Sequence, residues 1–193
     1  AMGCAFCRTA KMGFLRDLTQ GEILGQVSEV ERDMGPVPAP TRGRAGERGP
    51  ITNVVLMGMG EPFVNYDPVL NAVKVLLDER AFNFSKRRVT VSTSGLVTQA
   101  MRFSKQSGVK IAISLNATTD KVRDALMPVN RRFPIAEIMK FCRDLSKRSK
   151  HRVTFEYVMI RGVNDTEEDK KRLVKLLTGI RAKINLIPFN PFP

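Results

Sequence analysis

Apolar positions recur with two periods along this chain, and the way those periods alternate predicts its architecture. Thr19-Gln20-Gly21-Glu22 has the form of a capping box. Ile23, Leu24, Val27 and Val30 follow it at helical spacing, so an amphipathic helix is predicted to end near Arg32. Ile51–Met57 is an apolar, β-branched run that predicts a strand buried on both faces. Behind Asp67-Pro68, with Pro at a favoured first-turn position, Val69, Leu70, Val73, Leu76 and Leu77 return to helical spacing. Arg88–Val91 predicts a second strand and Leu96–Gln106 the helix after it. The same unit follows with Val109–Ile113 and Asp120–Leu126, closed by Pro128. Ile135, Ile138, Met139, Cys142 and Leu145 share one helical face, which makes Cys142 packed core. Val153–Ile160 predicts a fourth strand. Asp165 with Glu168 is read as the cap of a helix carrying Leu173, Val174, Leu176 and Leu177, and Lys183–Ile187 predicts the last strand.

Five strands alternating with helices imply parallel pairing through right-handed crossovers, and so an α/β barrel or a doubly wound sheet. The span 33–50 is rich in Pro, Gly and Arg and has no period, so it reads as a flexible loop or insertion within one core domain over 1–193. A hydrophobic fraction of 42% over 193 residues is enough to bury a core. No apolar run is long enough to span a membrane, and the start is too short and polar for a signal peptide. A soluble, cytoplasmic setting is the expectation.

The net charge of +13 points to an anionic partner, and nucleic acid is the favoured one. Charge alone also fits a protein that is merely soluble and basic. Clusters sharpen the reading: Lys86-Arg87-Arg88, Arg131-Arg132, Lys147-Arg148 with Lys150 to Arg152, and Lys170-Lys171-Arg172.

Polar and Gly residues gather after each predicted strand, where parallel α/β folds bind ligands. Gly58-Met59-Gly60-Glu61-Pro62 follows the first strand; Gly58 and Gly60 permit close backbone approach and Glu61 can receive an ammonium. Ser92, Ser114, Asn116 and Asn190 supply hydroxyl and amide partners near later strand ends. Each alone is as well explained by a turn or a helix cap; together they favour a small polar ligand. Cys4-Ala5-Phe6-Cys7 spaces two thiols to hold adjacent corners of a metal site. An iron–sulfur cluster, a zinc site, a redox pair and idle thiols all remain open on spacing alone.

These blocks resemble the radical S-adenosylmethionine enzymes, and within them the RlmN-type adenine methyltransferases of ribosomal and transfer RNA. The resemblance rests on Cys4 to Ala10 with Gly13-Phe14, Glu22 to Val27, Asn53 to Pro62, Lys86 to Gly95 and Ile184 to Pro193. It implies a partial (β/α)6 barrel of parallel strands and a 4Fe-4S cluster held by three Cys in a C-x3-C-x2-C pattern. Cys4 and Cys7 match the second and third of these; the first Cys and the first barrel strand would precede Ala1. It also implies that Gly60 and Glu61 bind the amino group of S-adenosyl-L-methionine, while Ser92, the Ser114-Leu115-Asn116 segment and Asn190 hold its remaining parts. Asn116 stands where relatives often carry His; Asn keeps a donor and an acceptor.

By the same resemblance the product is adenine methylated at carbon 2, formed through a Cys that carries the methyl group and a second Cys that resolves the adduct. Both are expected outside this chain, since Cys142 matches neither, and residues 1–193 alone are expected to methylate no RNA. A flavodoxin-like electron donor is implied for the cluster. Two other readings are a sister enzyme acting on carbon 8 and a non-catalytic, basic RNA-binding module.

Overall fold

The computed structural model describes residues 2–35 and 51–191, so the predicted loop falls outside the described residues except at its start. The Thr19 capping box is formed: Thr19 Oγ1 accepts from the Glu22 amide, and the Glu22 carboxylate accepts from the Thr19 amide. It opens a helix, α2, over Gln20–Met34, two residues longer than expected and closed by Gly35. Before it lies a short helix that periodicity did not predict, α1, Arg8–Met12.

From there strands and helices alternate: β1 Val54–Leu56, α3 Tyr66–Leu77, β2 Val89–Thr93, α4 Val97–Ser107, β3 Lys110–Ser114, α5 Asp120–Leu126, α6 Ile135–Arg148, β4 Val153–Met159, α7 Glu167–Leu177 and β5 Ala182–Pro188. Pro128 does more than close α5, since it begins a 3-10 turn over Pro128–Arg131.

The five strands form one parallel sheet in the order β1-β2-β3-β4-β5. That order decides between the two expected architectures. A doubly wound sheet reverses its order at a switch point, whereas successive right-handed crossovers in one direction place every helix on one face, as in a barrel. Five parallel strands in chain order are the arrangement of a partial (β/α) barrel.

Strand side chains alternate between faces, and the register shows which set is which. Val91 pairs with Ile111 and Ile113 with Phe155, and these, with Val89, Val153 and Tyr157, are buried against the helices. Cys142 is fully buried in the same core, as its helical face predicts. The opposite face is polar: Thr90 pairs with Lys110, Ser92 with Ala112, and Ser114 with Glu156, which in turn pairs with Asn185. No helix among the described residues is long and apolar enough to cross a membrane.

Two expectations are corrected. The first strand is three residues long rather than seven, and it is not buried on both faces, because Val55 is 57% exposed. Among the described residues its one sheet neighbour is β2, and alternation puts Val55 level with Thr90 on the polar face; a continuous apolar run was read as two-sided burial. The cap of α7 is Thr166 with Asp169, not Asp165 with Glu168. Asp165 instead accepts from the Gly162 amide and closes the turn after β4, which moves the helical frame on by one residue.

Asp169 also ties α7 to the segment after β3. Its carboxylate accepts from Thr118 Oγ1 at 2.5 Å and Arg172 Nη2 at 2.6 Å. Burial raises its pKa, but the bonds from Thr118, Thr166 and Arg172 outweigh burial and bring it down to about 2. A carboxylate held below its unfolded value stabilises the fold above that value and ceases to do so as pH falls through the folded one. Urea unfolding is therefore expected to show a loss of about 1–2 kcal/mol between roughly pH 4 and pH 2 that is absent from Asp169→Asn. An unchanged pH profile in that variant would refute the assignment.

Candidate functional site

Cys4 and Cys7 lie in one tight turn, with the Cys7 amide donating to the Cys4 carbonyl at 3.1 Å. Cys7 then caps α1. The turn is docked rather than loose: the Ala5 amide donates to the Leu126 carbonyl at 2.9 Å, and Met2, Cys4 and Phe6 pack against the core. Both thiols are free and partly exposed. Partial burial first, and then the neighbouring Cys7, pushes the Cys4 thiol up to about 11; Glu61 adds to this and Arg123 opposes it. Cys4 thus lies within electrostatic reach of both residues. Among the described residues, no three His, Cys, Asp or Glu side chains are gathered as a metal site.

The loop after β1 carries Gly60, at φ 88, and Glu61. Glu61 is 9% exposed and its carboxylate is already engaged. Oε2 accepts from the Ser94 amide at 2.7 Å and the Ser94 hydroxyl at 2.8 Å, and Oε1 accepts from the Phe63 amide at 3.2 Å. Burial raises its pKa, with the bonds from Ser94 and Phe63 working against that rise. Glu61 therefore links the end of β1 to the end of β2, and Oε1 retains a lone pair for a further donor.

Arg123, in α5, joins the ends of β2 and β3. It is fully buried and makes four hydrogen bonds: Nη2 to the Ser94 carbonyl at 2.6 Å and the Ser114 carbonyl at 2.9 Å, Nε to the Leu115 carbonyl at 2.9 Å, and Nη1 to Asn130 Oδ1 at 2.9 Å. Burial lowers its pKa to about 10, so it stays cationic at neutral pH. Among the described residues no carboxylate is hydrogen-bonded to it. Asn130 relays the charge to Asp120 and Asp124, whose oxygens accept from its amide at 3.0 and 2.7 Å.

The structure brings the sequence-derived residues together to different degrees. Cys4 and Glu61 are within electrostatic reach of each other. Ser92 and Ser114 are part-exposed on the polar face of the sheet, at the carboxyl ends of β2 and β3. Leu115 is buried, and its amide donates to the Glu156 carbonyl at 3.0 Å.

Asn116 does not offer the free carboxamide expected of it. It is 1% exposed at φ 55; Oδ1 accepts from the Val158 amide at 2.8 Å and Nδ2 donates to the Met127 sulfur at 3.2 Å. It braces β4 against β3. Asn190 is exposed beyond β5, next to Phe189, whose amide donates to the Met159 carbonyl.

Sequence reasoning missed Ser94, Arg123 and the Glu156–Asn185 pair, in which Asn185 Nδ2 donates to Glu156 Oε2 at 2.7 Å on the polar face. Arg123 sits between acids and reads as solvated. The available signal was its position one turn before Leu126, on the apolar side of a short helix.

Comparison with known proteins places this arrangement among relatives. A model of the radical SAM superfamily matches residues 41–174, the barrel rather than the Cys turn. The chain is 48% identical over 196 residues to a dual-specificity RNA methyltransferase RlmN of Alcanivorax borkumensis, covering 100% of this chain and 50% of the relative. It is 50% identical over 196 residues to the protein of the same name from Anaeromyxobacter dehalogenans, again covering 100% of this chain and 50% of the relative. The chain thus spans about half the length of these curated relatives. Among solved structures, a radical SAM methyltransferase from Sphaerobacter thermophilus superposes with a TM-score of 0.89 at 45% identity, over 100% of this chain and 54% of that one.

Proposed function

Because this chain belongs to the radical SAM superfamily, we propose that it is the cofactor-binding core of an RNA methyltransferase that modifies carbon 2 of adenine in ribosomal and transfer RNA. One observation carries the reading: a docked turn presenting two part-exposed thiols is within electrostatic reach of a buried carboxylate on the Gly-rich loop at the carboxyl ends of parallel strands. That rim is where such folds bind ligands.

The residues present supply part of what the cofactors need. Cys4 and Cys7 would supply two thiolates to a 4Fe-4S cluster, and Cys142 would not supply a third, since it is fully buried in α6 and burial pushes its thiol up to about 12. A cluster there would supply one-electron chemistry to S-adenosylmethionine, which suits an adenine carbon that offers no acidic proton for ordinary methyl transfer.

The chain's own residues bind and orient. Gly60 opens the backbone beside Glu61, and the remaining lone pair of Oε1 receives the ammonium of the methionine moiety. Ser92 and Ser114 offer hydroxyls from the polar face, Leu115 and Asn116 contribute backbone near the β3 end, and Asn190 closes the far side. Arg123 holds the carbonyls of Ser94, Ser114 and Leu115 in fixed positions around them. A methyl-carrying Cys outside this chain, a flavodoxin-like electron donor and a cytoplasmic setting belong to the same reading.

The test is product mapping. The intact protein, reconstituted anaerobically with iron and sulfide, is given S-adenosylmethionine, a reductant and either RNA, and the nucleosides are resolved by mass spectrometry. Methylation at carbon 2 of adenine is the expected result. Methylation at carbon 8 would assign the sister activity, and RNA binding without any methylation would leave a binding module.

A further inference from the structure

Two of the basic clusters read from the sequence, with Lys105 added by the fold, gather on one face. Lys86 precedes β2, Lys105 lies in the last turn of α4, Lys147 and Arg148 in the last turn of α6, and Lys150 and His151 precede β4. All of them stand at the amino ends of the strands, opposite the rim that carries Glu61 and the Cys turn. The faces are about 16 Å apart, the length of a five-residue strand such as β3.

Two cavities open on this face and share Arg148. One, of about 390 Å³, is lined by Lys86, Ser104, Arg148, Ser149, Lys150 and His151; the other, of about 330 Å³, by Lys105, Lys147, Arg148, Met101 and Asp144. Both are open to solvent, surface grooves rather than enclosed pockets.

What marks this face is the gathering of its cations around two concavities with one carboxylate between them. The ion pairs among the described residues join Arg16 to Glu22, Arg32 to Glu29, Arg80 to Asp78, Lys170 to Glu167, Lys171 to Glu168 and Arg172 to Asp169. None of these involves the cavity cations, and Asp144 is the one carboxylate in either described lining. Helix dipoles account for cations at the ends of α4 and α6. They do not account for Lys86 or Lys150, nor for the concavity. Lys86 lies against Gly108, the left-handed C-cap of α4, where a Cβ would be 3.3 Å from Lys86 Cδ and 3.4 Å from its Nζ. Neither lining contains a Phe or Tyr on which a base could stack.

We propose that this basic face is a second RNA contact, a sequence-independent seat for backbone phosphates that holds the flank of an RNA whose target base enters the opposite rim. The ligand chemistry is a run of phosphodiesters rather than a nucleobase, since the donors are ammonium, guanidinium, imidazole and hydroxyl groups. It rests on the reading of RNA as substrate, and it adds a place on the chain where RNA is held away from the chemistry.

The experiment measures the salt dependence of binding to a fluorescein-labelled RNA stem-loop with adenine in its loop, using the intact protein. One variant carries Lys86→Gln, Lys105→Gln, Lys147→Gln and Lys150→Gln; all four side chains are exposed, so the fold is retained. A control carries Lys170→Gln and Lys171→Gln, which removes charges already paired with Glu167 and Glu168. Each lysine on a phosphate contributes about 1 to the slope of log K against log salt. The expected result is a slope shallower by about 2–4 in the first variant, with affinity at about 0.1 M salt weaker by at least roughly 10-fold, and little change in the control. A control change about half as large, in proportion to its two charges against four, would reduce the effect to net charge and overturn the proposal, as would an unchanged slope in the first. Failure of the unaltered protein to bind the RNA at all would overturn this proposal together with the reading of RNA as substrate.

Discussion

Replacing Arg123 with Met is expected to destabilise the fold by about 3–5 kcal/mol, the largest effect of any single substitution considered for this chain. The side chain is fully buried, and the aliphatic part of Met fills much of its volume. The loss therefore comes from the groups left behind. The carbonyls of Ser94, Ser114 and Leu115 and the Asn130 side chain all lose a donor; Leu115 keeps the Ala117 amide and Ser114 is part-exposed, but the buried Ser94 and Asn130 acceptors are left unpaired at about 1–3 kcal/mol each. For a domain of this size the expected fall in Tm is about 6–15 °C. Arg123→Lys restores the charge but can span only part of the set, so it should recover less than half of the loss. A Met variant within about 0.5 kcal/mol of the unaltered protein in urea unfolding would mean that the four bonds carry no net stability.

Glu61→Gln is the second large change, and it separates a strut from a ligand-binding group. As a carboxylate Glu61 accepts three hydrogen bonds, two on Oε2 and one on Oε1. An amide can keep the pair from Ser94 only by turning its own N–H2 toward the Phe63 amide, donor against donor, at a cost of about 1–3 kcal/mol. If Oε1 also takes the ammonium of S-adenosylmethionine, the substitution removes a charge-assisted bond, and Kd rises by at least about 10-fold, equivalent to about 1.4 kcal/mol. Calorimetric titration of the reconstituted protein reads this directly. Lower stability with an unchanged Kd would assign Glu61 to the strut alone.

The alternation of periods in the sequence was enough to place all five strands and the helices between them, because each helix buries one apolar stripe against the sheet and that stripe repeats in the residues. Burial by face was less legible. Val55 sits in an unbroken apolar run, yet its exposure depends on which neighbour covers the polar face of the sheet, a tertiary fact. The α7 cap was displaced by one residue because Asp165 and Thr166 are both good capping residues, and only the turn closed by Asp165 decides between them. The rim residues stood out because Gly, Ser and Asn cluster after strands. Arg123 did not, since its partners are backbone carbonyls from two strand ends that no side-chain pattern encodes. Asn116 illustrates the converse: its residue type suggested a free donor and acceptor, and the fold uses both.

The most direct test of the site is iron content after anaerobic reconstitution of the intact protein, compared across Cys4→Ala, Cys7→Ala and Cys142→Ala. About four irons per chain are expected in the unaltered protein and in Cys142→Ala, with less than about one in either variant of the docked turn. Full iron loading in Cys4→Ala and Cys7→Ala, or loss confined to Cys142→Ala, would contradict the assignment of Cys4 and Cys7 as cluster ligands.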